Sequence, residues 1–249
     1  MTDISIPLLI AIGATFFGAG MVKGVTGMGL PTVAMGVLGA LISPLAAASL
    51  LVVPSFVTNL WQLLAGPAVK PIARRLWPMM LAICAGTGAS AGWLASGDAG
   101  TTTVVLGTAL MIYAGYTLLA RQLSVPAGIE PLLSPLVGAA TGIVSGATGV
   151  FVIPAVPYLQ ALGLSRDDLV QALGLSFTVS TVALAVALGS QGTFATETMG
   201  LSLLALGPAL LGLWAGRKLR KRISPPIFKR VFLLFLFLLG AEMALRPLL

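Results

Sequence analysis

Histidine is absent from this 249-residue chain, cysteine occurs once, and only 7 acidic side chains stand against 14 basic ones. Without histidine there is no imidazole to shuttle protons at neutral pH, to ligate zinc or to activate a serine or cysteine nucleophile. The single cysteine, Cys84, excludes an intrachain disulfide and reads as a small buried filler. No Walker-type glycine loop occurs, so no ATP-driven step is encoded. Asp167 and Asp168 read as a turn, and Glu242 as paired with Arg246 one helical turn later in a buried setting. The chain is therefore read as no enzyme, with no catalytic residues, no metal ligands and no cofactor.

Charge of either sign is scarce. Charged residues make up 8% of the chain, against roughly 25% in soluble domains, and the mean hydropathy is +1.04. Residues 24–69, 76–97, 99–120, 131–165, 169–196 and 198–216 contain no Asp, Glu, Lys or Arg. About 20 apolar residues at about 1.5 Å rise each cross a bilayer, and several of these runs are that long. The short alternating segments of a membrane β-barrel are missing. The fold class is all-α and polytopic, with the lipid bilayer as its first partner. The basic pI of about 10.2 comes from clusters between apolar runs, which is the pattern of topology-setting loops and not of a nucleic-acid surface. The N-terminus carries Asp3 and no basic stretch, so a cleaved signal peptide is not expected.

Hydropathy and turn signals predict helices near 5–22, 32–42, 45–66, 77–96, 102–120, 132–148, 151–163, 169–189, 199–216 and 229–246. The segments 32–42 and 151–163 are too short to cross, and each is expected to form one arm of a bent or re-entrant pair with the helix before it. That leaves about six full spans beside two bent pairs. The loops 67–75, 121–131 and 217–230 hold nearly all Lys and Arg and are expected in the cytoplasm. The Arg166-Asp167-Asp168 turn falls on the same side, while 97–101, 190–198 and both termini fall outside.

What the chain does have is a doubled motif. Gly20-Met21-Val22-Lys23-Gly24-Val25-Thr26-Gly27 returns as Gly142-Ile143-Val144-Ser145-Gly146-Ala147-Thr148-Gly149, with matched residues 122 positions apart. The same offset places Ser43 on Ser165, Thr58 on Ser180 and Asn59 on Thr181; after a shift of two residues, Gly88 and Gly92 fall on Gly212 and Gly216. With the charge bias, this predicts two inverted-topology repeats, residues 1–122 and 123–249, forming one transport unit. Matching glycine-interrupted segments in two halves point to the central site of a secondary carrier.

The chemistry of that site follows from its residue types. Pro31 and Pro154 follow the two Thr-Gly pairs, so each helix should break there and leave backbone groups unpaired, which is tolerated only where protein lines a cavity. Restarting helices offer free N–H groups and a positive dipole end to an anion, and Thr26 and Thr148 offer hydroxyls. Lys23 is the only charged residue from Ile4 to Val69. It either lines the pathway or snorkels to the interface. Glycines four apart also serve close helix packing. Ser55, Thr58, Asn59 and Gln62 share one face of the next helix at i, i+3, i+4, i+7 spacing; Gln171, Ser176, Thr178, Ser180 and Thr181 form the second set. The candidate anion ligands are Lys23, Gly24, Thr26, Gly27, Gly29, Thr58, Asn59, Ser145, Gly146, Thr148, Gly149, Ser180 and Thr181.

With these residues the chain resembles the TauE/SafE family of sulfite and organosulfonate exporters, also called the four-toluene-sulfonate uptake permease group. The resemblance rests on the twofold Gly-xxx-Gly-x-Thr-Gly motif, the following prolines and the two-halved membrane chain. It implies an inner-membrane carrier of sulfite, sulfonates or related anions, mostly acting in export, with Gly24, Thr26, Gly27, Gly146, Thr148 and Gly149 as motif positions. A carrier of another small anion, a carboxylate or sulfate, and a non-transporting membrane scaffold are the alternatives. The anion, the direction, the coupling ion and whether a homo-oligomer forms stay open.

Overall fold

The computed structural model describes residues 5–119, 124–193 and 196–246. Ten helices follow one another: α1 (Ile6–Thr26), α2 (Leu30–Leu41), α3 (Pro44–Leu64), α4 (Val69–Ser96), α5 (Ala99–Leu119), α6 (Glu130–Thr148), α7 (Ala155–Ala161), α8 (Arg166–Ser190), α9 (Thr196–Leu219) and α10 (Pro225–Leu245). No strand occurs among the described residues. Seven helices (α1, α3, α4, α5, α6, α8 and α9) are long and apolar enough to cross a membrane. Helix α10 has 21 residues, enough for about 31 Å, but carries Lys229 and Arg230 near one end and Glu242 near the other. About six full spans were expected; α1 and α6, expected as arms of bent pairs, are themselves long and apolar enough to cross, which brings the number to seven among the described residues. Large side chains such as Leu204, Leu211, Val231 and Leu238 are exposed on α9 and α10, as lipid-facing surfaces require.

Several boundaries differ from expectation, for physical reasons. Helix α1 runs on through Gly20 and Gly24 to Thr26, four residues beyond the expected stop, because a glycine packed against another backbone does not interrupt a buried helix. Helix α4 starts at Val69, so Lys70, Arg74 and Arg75 lie in its first turns and not in a loop. Asp167 and Asp168 occupy the first turn of α8 instead of a turn, where acidic residues suit the helix dipole. The Ser165 hydroxyl accepts from the Asp168 N–H at 3.1 Å, and Ser43 caps α3 in the same way through the Ala46 N–H at 3.2 Å. Helix α7 holds only 7 residues, short of the expected 151–163. Cys84 is exposed, which corrects its reading as a buried filler: it lies on an outward face of α4.

Helix pairs α1–α9, α4–α6 and α5–α10 are among those that meet backbone to backbone through small residues. A methyl group at Gly20 would lie 2.1 Å from the Ala209 carbonyl oxygen, and one at Gly24 would lie 2.5 Å from that of Leu213. Across the α4–α6 pair, a methyl group added at Gly142 would overlap the Ile83 oxygen and one at Gly146 that of Thr87. Gly107 and Gly240 face each other's carbonyls where α5 crosses α10. Such contacts replace the hydrophobic drive that lipid removes. The glycine opposite Gly142 is Gly86, which plays the part that Gly212 plays against α1; Gly88 has nothing within 4 Å and Gly92 only the Gln191 side chain at 3.9 Å. The expected matching of Gly88 and Gly92 with Gly212 and Gly216 is thus corrected to Gly86 and Ser90.

Contacts between α1 and α9 climb in the same chain direction, and so do those between α4 and α6. Helices α3 and α8 cross in opposite directions. The Gln62 amide donates to the Val170 oxygen at 3.0 Å and that of Gln171 to the Leu63 oxygen at 2.7 Å, while Ser55 meets Thr181 farther along. One face of the bundle therefore collects the starts of α4, α6, α8 and α10 and the ends of α3, α5 and α9, with most of the basic residues. Arg75 clasps Glu130 there with two 2.6 Å hydrogen bonds, tying α4 to α6. Arg121, the boundary at 122/123 and residues 1–4 and 247–249 lie outside the described residues, as does the side chain of Glu197.

Gly20→Ala and Gly142→Ala are each expected to destabilise the protein by about 1–3 kcal/mol, the usual cost of overpacking. Gly88→Ala should be neutral or stabilising by up to about 1 kcal/mol, since it adds helix propensity in open space. Thermal melting of the purified variants in detergent checks the contrast.

Candidate functional site

The two breaks are built alike. Gly27 (φ 81°) ends α1 in the left-handed region and donates to the Lys23 oxygen at 2.8 Å. Gly149 (φ 70°) ends α6 and donates to the Ser145 oxygen at 2.7 Å. The Thr26 hydroxyl lies 2.9 Å from the Val22 oxygen and accepts from Met28 N–H at 3.3 Å. The Thr148 hydroxyl donates to the Val144 oxygen at 2.6 Å and accepts from Val150 N–H at 3.2 Å. Both threonines thus staple the break from within, and their protons are committed to backbone oxygens. Both hydroxyls act as caps of the breaks. Gly24 and Gly146 turn their open sides to α9 and α4.

After the first break, Gly29 (φ 101°) starts α2. The helix has 12 residues, about 18 Å of rise, short of a hydrocarbon layer of about 30 Å. The first-turn N–H groups of α2 are orphaned by helix geometry, and the buried Thr32 hydroxyl in that turn has no hydrogen-bond partner. The second break has no counterpart of Gly29; Val150, Phe151 and Val152 fill the space and are fully buried.

Lys23 decides the character of the site. It is 3% exposed and is turned onto α3, so it does not snorkel. Its ammonium donates to the Asn59 side-chain oxygen and to the Thr58 hydroxyl at 3.2 Å. Asn59 passes a hydrogen bond to Ser55 at 2.9 Å, and Ser55 meets Thr181 of α8 at 3.1 Å. A polar chain therefore runs from α1 through α3 to α8. Among the described residues the only ion pairs are Arg75–Glu130 and Arg246–Glu242, so no carboxylate offsets the Lys23 charge. An ammonium has three protons, and the third finds no acceptor. Isolated charge in a low-dielectric interior is costly unless it is paired.

The corresponding place in the other half is neutral. Ser145 meets Thr87 of α4 at 3.0 Å and does not reach α8 through a hydrogen bond. The Ser180 and Ser176 hydroxyls are buried without partners. Sequence reasoning missed Thr87, which nothing in its local pattern sets apart. It also missed Ser202: Pro54 removes the N–H that would bond the Leu50 oxygen, and the Ser202 hydroxyl takes its place at 2.8 Å. The proline inside an apolar run was the available signal. Gln62 and Gln171 staple α3 to α8 near the basic face and stand apart from the Lys23 chain. Glu242 and Arg246 do pair, at 3.1 Å, but both are about half exposed, so the expected burial is corrected.

The model of the sulfite exporter TauE/SafE family matches residues 12–243. The chain belongs to that family. No curated protein and no solved structure matches it. TauE/SafE proteins are membrane transporters of sulfite or related anions and not enzymes, which agrees with the resemblance carried by the doubled motif. In TauE/SafE terms, the motif glycines at 20, 24, 142 and 146 dock helices, and the Thr-Gly pairs cap the breaks.

Thr148→Val is expected to cost about 1–3 kcal/mol of stability, because it strands the buried Val150 N–H. Thr148→Ser should retain most of it. Melting temperatures of both variants against the parent check the capping role.

Proposed function

We propose that this chain exports sulfite or a short organosulfonate by alternating access, with the anion held against Lys23 and the hydroxyls around it. The single observation that carries this reading is a buried ammonium hydrogen-bonded only to neutral oxygens. Thr58, Asn59 and Ser55 set the ammonium in place. The α2 start with Thr32, and Ser180 with Thr181, are the remaining oxyanion ligands on the two sides of the bundle core. Gly24, Thr26, Gly27, Gly29, Gly146, Thr148 and Gly149 shape the breaks that leave room for it.

Residues 1–122 and 123–249 act as two inverted halves that rock about this site. The 122-residue offset of the caps and the antiparallel crossing of α3 and α8 support that arrangement. The basic face is cytoplasmic by the positive-inside rule, with the opposite face periplasmic in a bacterial inner membrane. In a negative-inside cell the potential drives an anion outward by about 2.3 kcal/mol per charge per 100 mV. Export then needs no coupling ion, and the half-exposed Glu242 is no buried proton carrier.

Proteoliposomes loaded with sulfite, methanesulfonate, sulfate or acetate, under an imposed potential, test the reading. Sulfite or methanesulfonate should leave fastest, at a rate that rises with potential and without a proton gradient. Equal or faster acetate or sulfate release would overturn the substrate assignment. Release that starts only with a proton gradient would overturn the uncoupled mechanism.

A further inference from the structure

A cavity of about 160 Å³ opens beside the Lys23 chain, between α3 and α9, with Thr58, Trp61, Leu213, Trp214 and Arg217 in its walls. Thr58 is the residue whose hydroxyl accepts from Lys23 at 3.2 Å. Arg217 is exposed, lies in the last turn of α9 at the basic face, and its backbone presses on Gly24, the neighbour of Lys23. The guanidinium is parked over the Trp61 ring at 6.0 Å. Neither Arg217 nor Lys23 has a carboxylate partner among the described residues. Two cations without counterions thus stand at one cavity, one in its wall at the basic face and one behind Thr58.

We propose that Arg217 is a second anion-binding cation of this carrier, which captures the oxyanion at the basic face and hands it past Thr58 to Lys23. The assignment rests on the export reading above and names the residues that load its site. A guanidinium presents forked N–H donors that match the planar edge of an oxyanion. Its contact with Trp61 is a weak one at an exposed site, so the side chain is held near the cavity and released to a ligand at little cost. About 160 Å³ is the space of roughly five water molecules at about 30 Å³ each, enough for sulfite or methanesulfonate with part of its hydration. The bland role of a basic residue at a helix end, balancing the dipole or meeting lipid headgroups, is open equally to Lys218. That side chain instead lies over Trp214, with its nitrogen 3.8 Å from the ring centre, and is not part of the cavity wall.

Initial rates of sulfite efflux against internal sulfite concentration, in vesicles of pure phosphatidylcholine, separate these roles. Arg217→Gln is expected to raise KM about tenfold, the scale of one lost charge-assisted hydrogen bond, with the maximal rate little changed. The effect should shrink as neutral salt is raised, since a partly exposed charge is screened. Arg217→Lys should recover part of the affinity, and Lys218→Gln should leave KM within about twofold. If Arg217 served only lipid phosphate, its replacement would matter in vesicles containing anionic lipid and not in phosphatidylcholine, and that result overturns the proposal. Equal KM shifts in Arg217→Gln and Lys218→Gln overturn it as well, since general surface charge then explains both. Parent protein that moves sulfite while Arg217→Gln keeps the parent KM removes this assignment alone; parent protein that moves no anion removes the export reading and this inference together.

Discussion

The ammonium of Lys23 is a charge that the fold has taken out of water without giving it an opposite charge. Removing an ion from water costs several kcal/mol even after relaxation, and the hydrogen bonds that Lys23 donates to Asn59 and Thr58 recover only part of that. Other features of the bundle core follow from this constraint. The Asn59 amide needs Ser55 to fix its orientation, and Ser55 needs Thr181, so the charge on α1 organises polar residues as far as α8. A protein that only had to be stable would place methionine at position 23. Under the proposed function, the missing partner of Lys23 is the transported anion.

Placing that lysine depends on backbones that touch. Gly20 and Gly24 let α1 lie directly on α9, which turns the Lys23 side of α1 toward α3. Thr26 and Gly27 then cap the helix, and α2 starts at Leu30. The second half repeats the docking and the cap but carries Ser145 in place of lysine, paired to Thr87. The two motif copies thus differ in charge, with Lys23 in the first and the neutral Ser145 in the second.

Hydropathy made the helices legible, and Gly-Pro punctuation made the breaks legible, because length and unpaired backbone are constraints that lipid enforces strictly. The repeat offset located the caps residue by residue, at Ser43 and Ser165 and at Gly27 and Gly149. What stayed hidden depended on rotation about helix axes. Whether Gly86 or Gly88 faces α6, whether Cys84 points outward and whether Lys23 turns to α3 or to the interface are each decided by about one residue of phase, and weak amphipathicity in a membrane helix does not fix it. The hydroxyls of Thr26 and Thr148 looked available for the opposite reason. A one-dimensional pattern does not show that their own helix has already taken the proton.

The most direct test of the central claim is the melting temperature of the purified protein with and without sulfite, for the parent and for Lys23→Met. A ligand at about 100 times its Kd adds about 2.7 kcal/mol of stability, enough for a clear upward shift in the parent. Lys23→Met should melt at the parent's anion-free temperature or above it, because it removes an unpaired buried charge, and sulfite should no longer move it. A Lys23→Met protein that keeps the full sulfite shift would contradict the account, since the anion would then be held somewhere other than at Lys23.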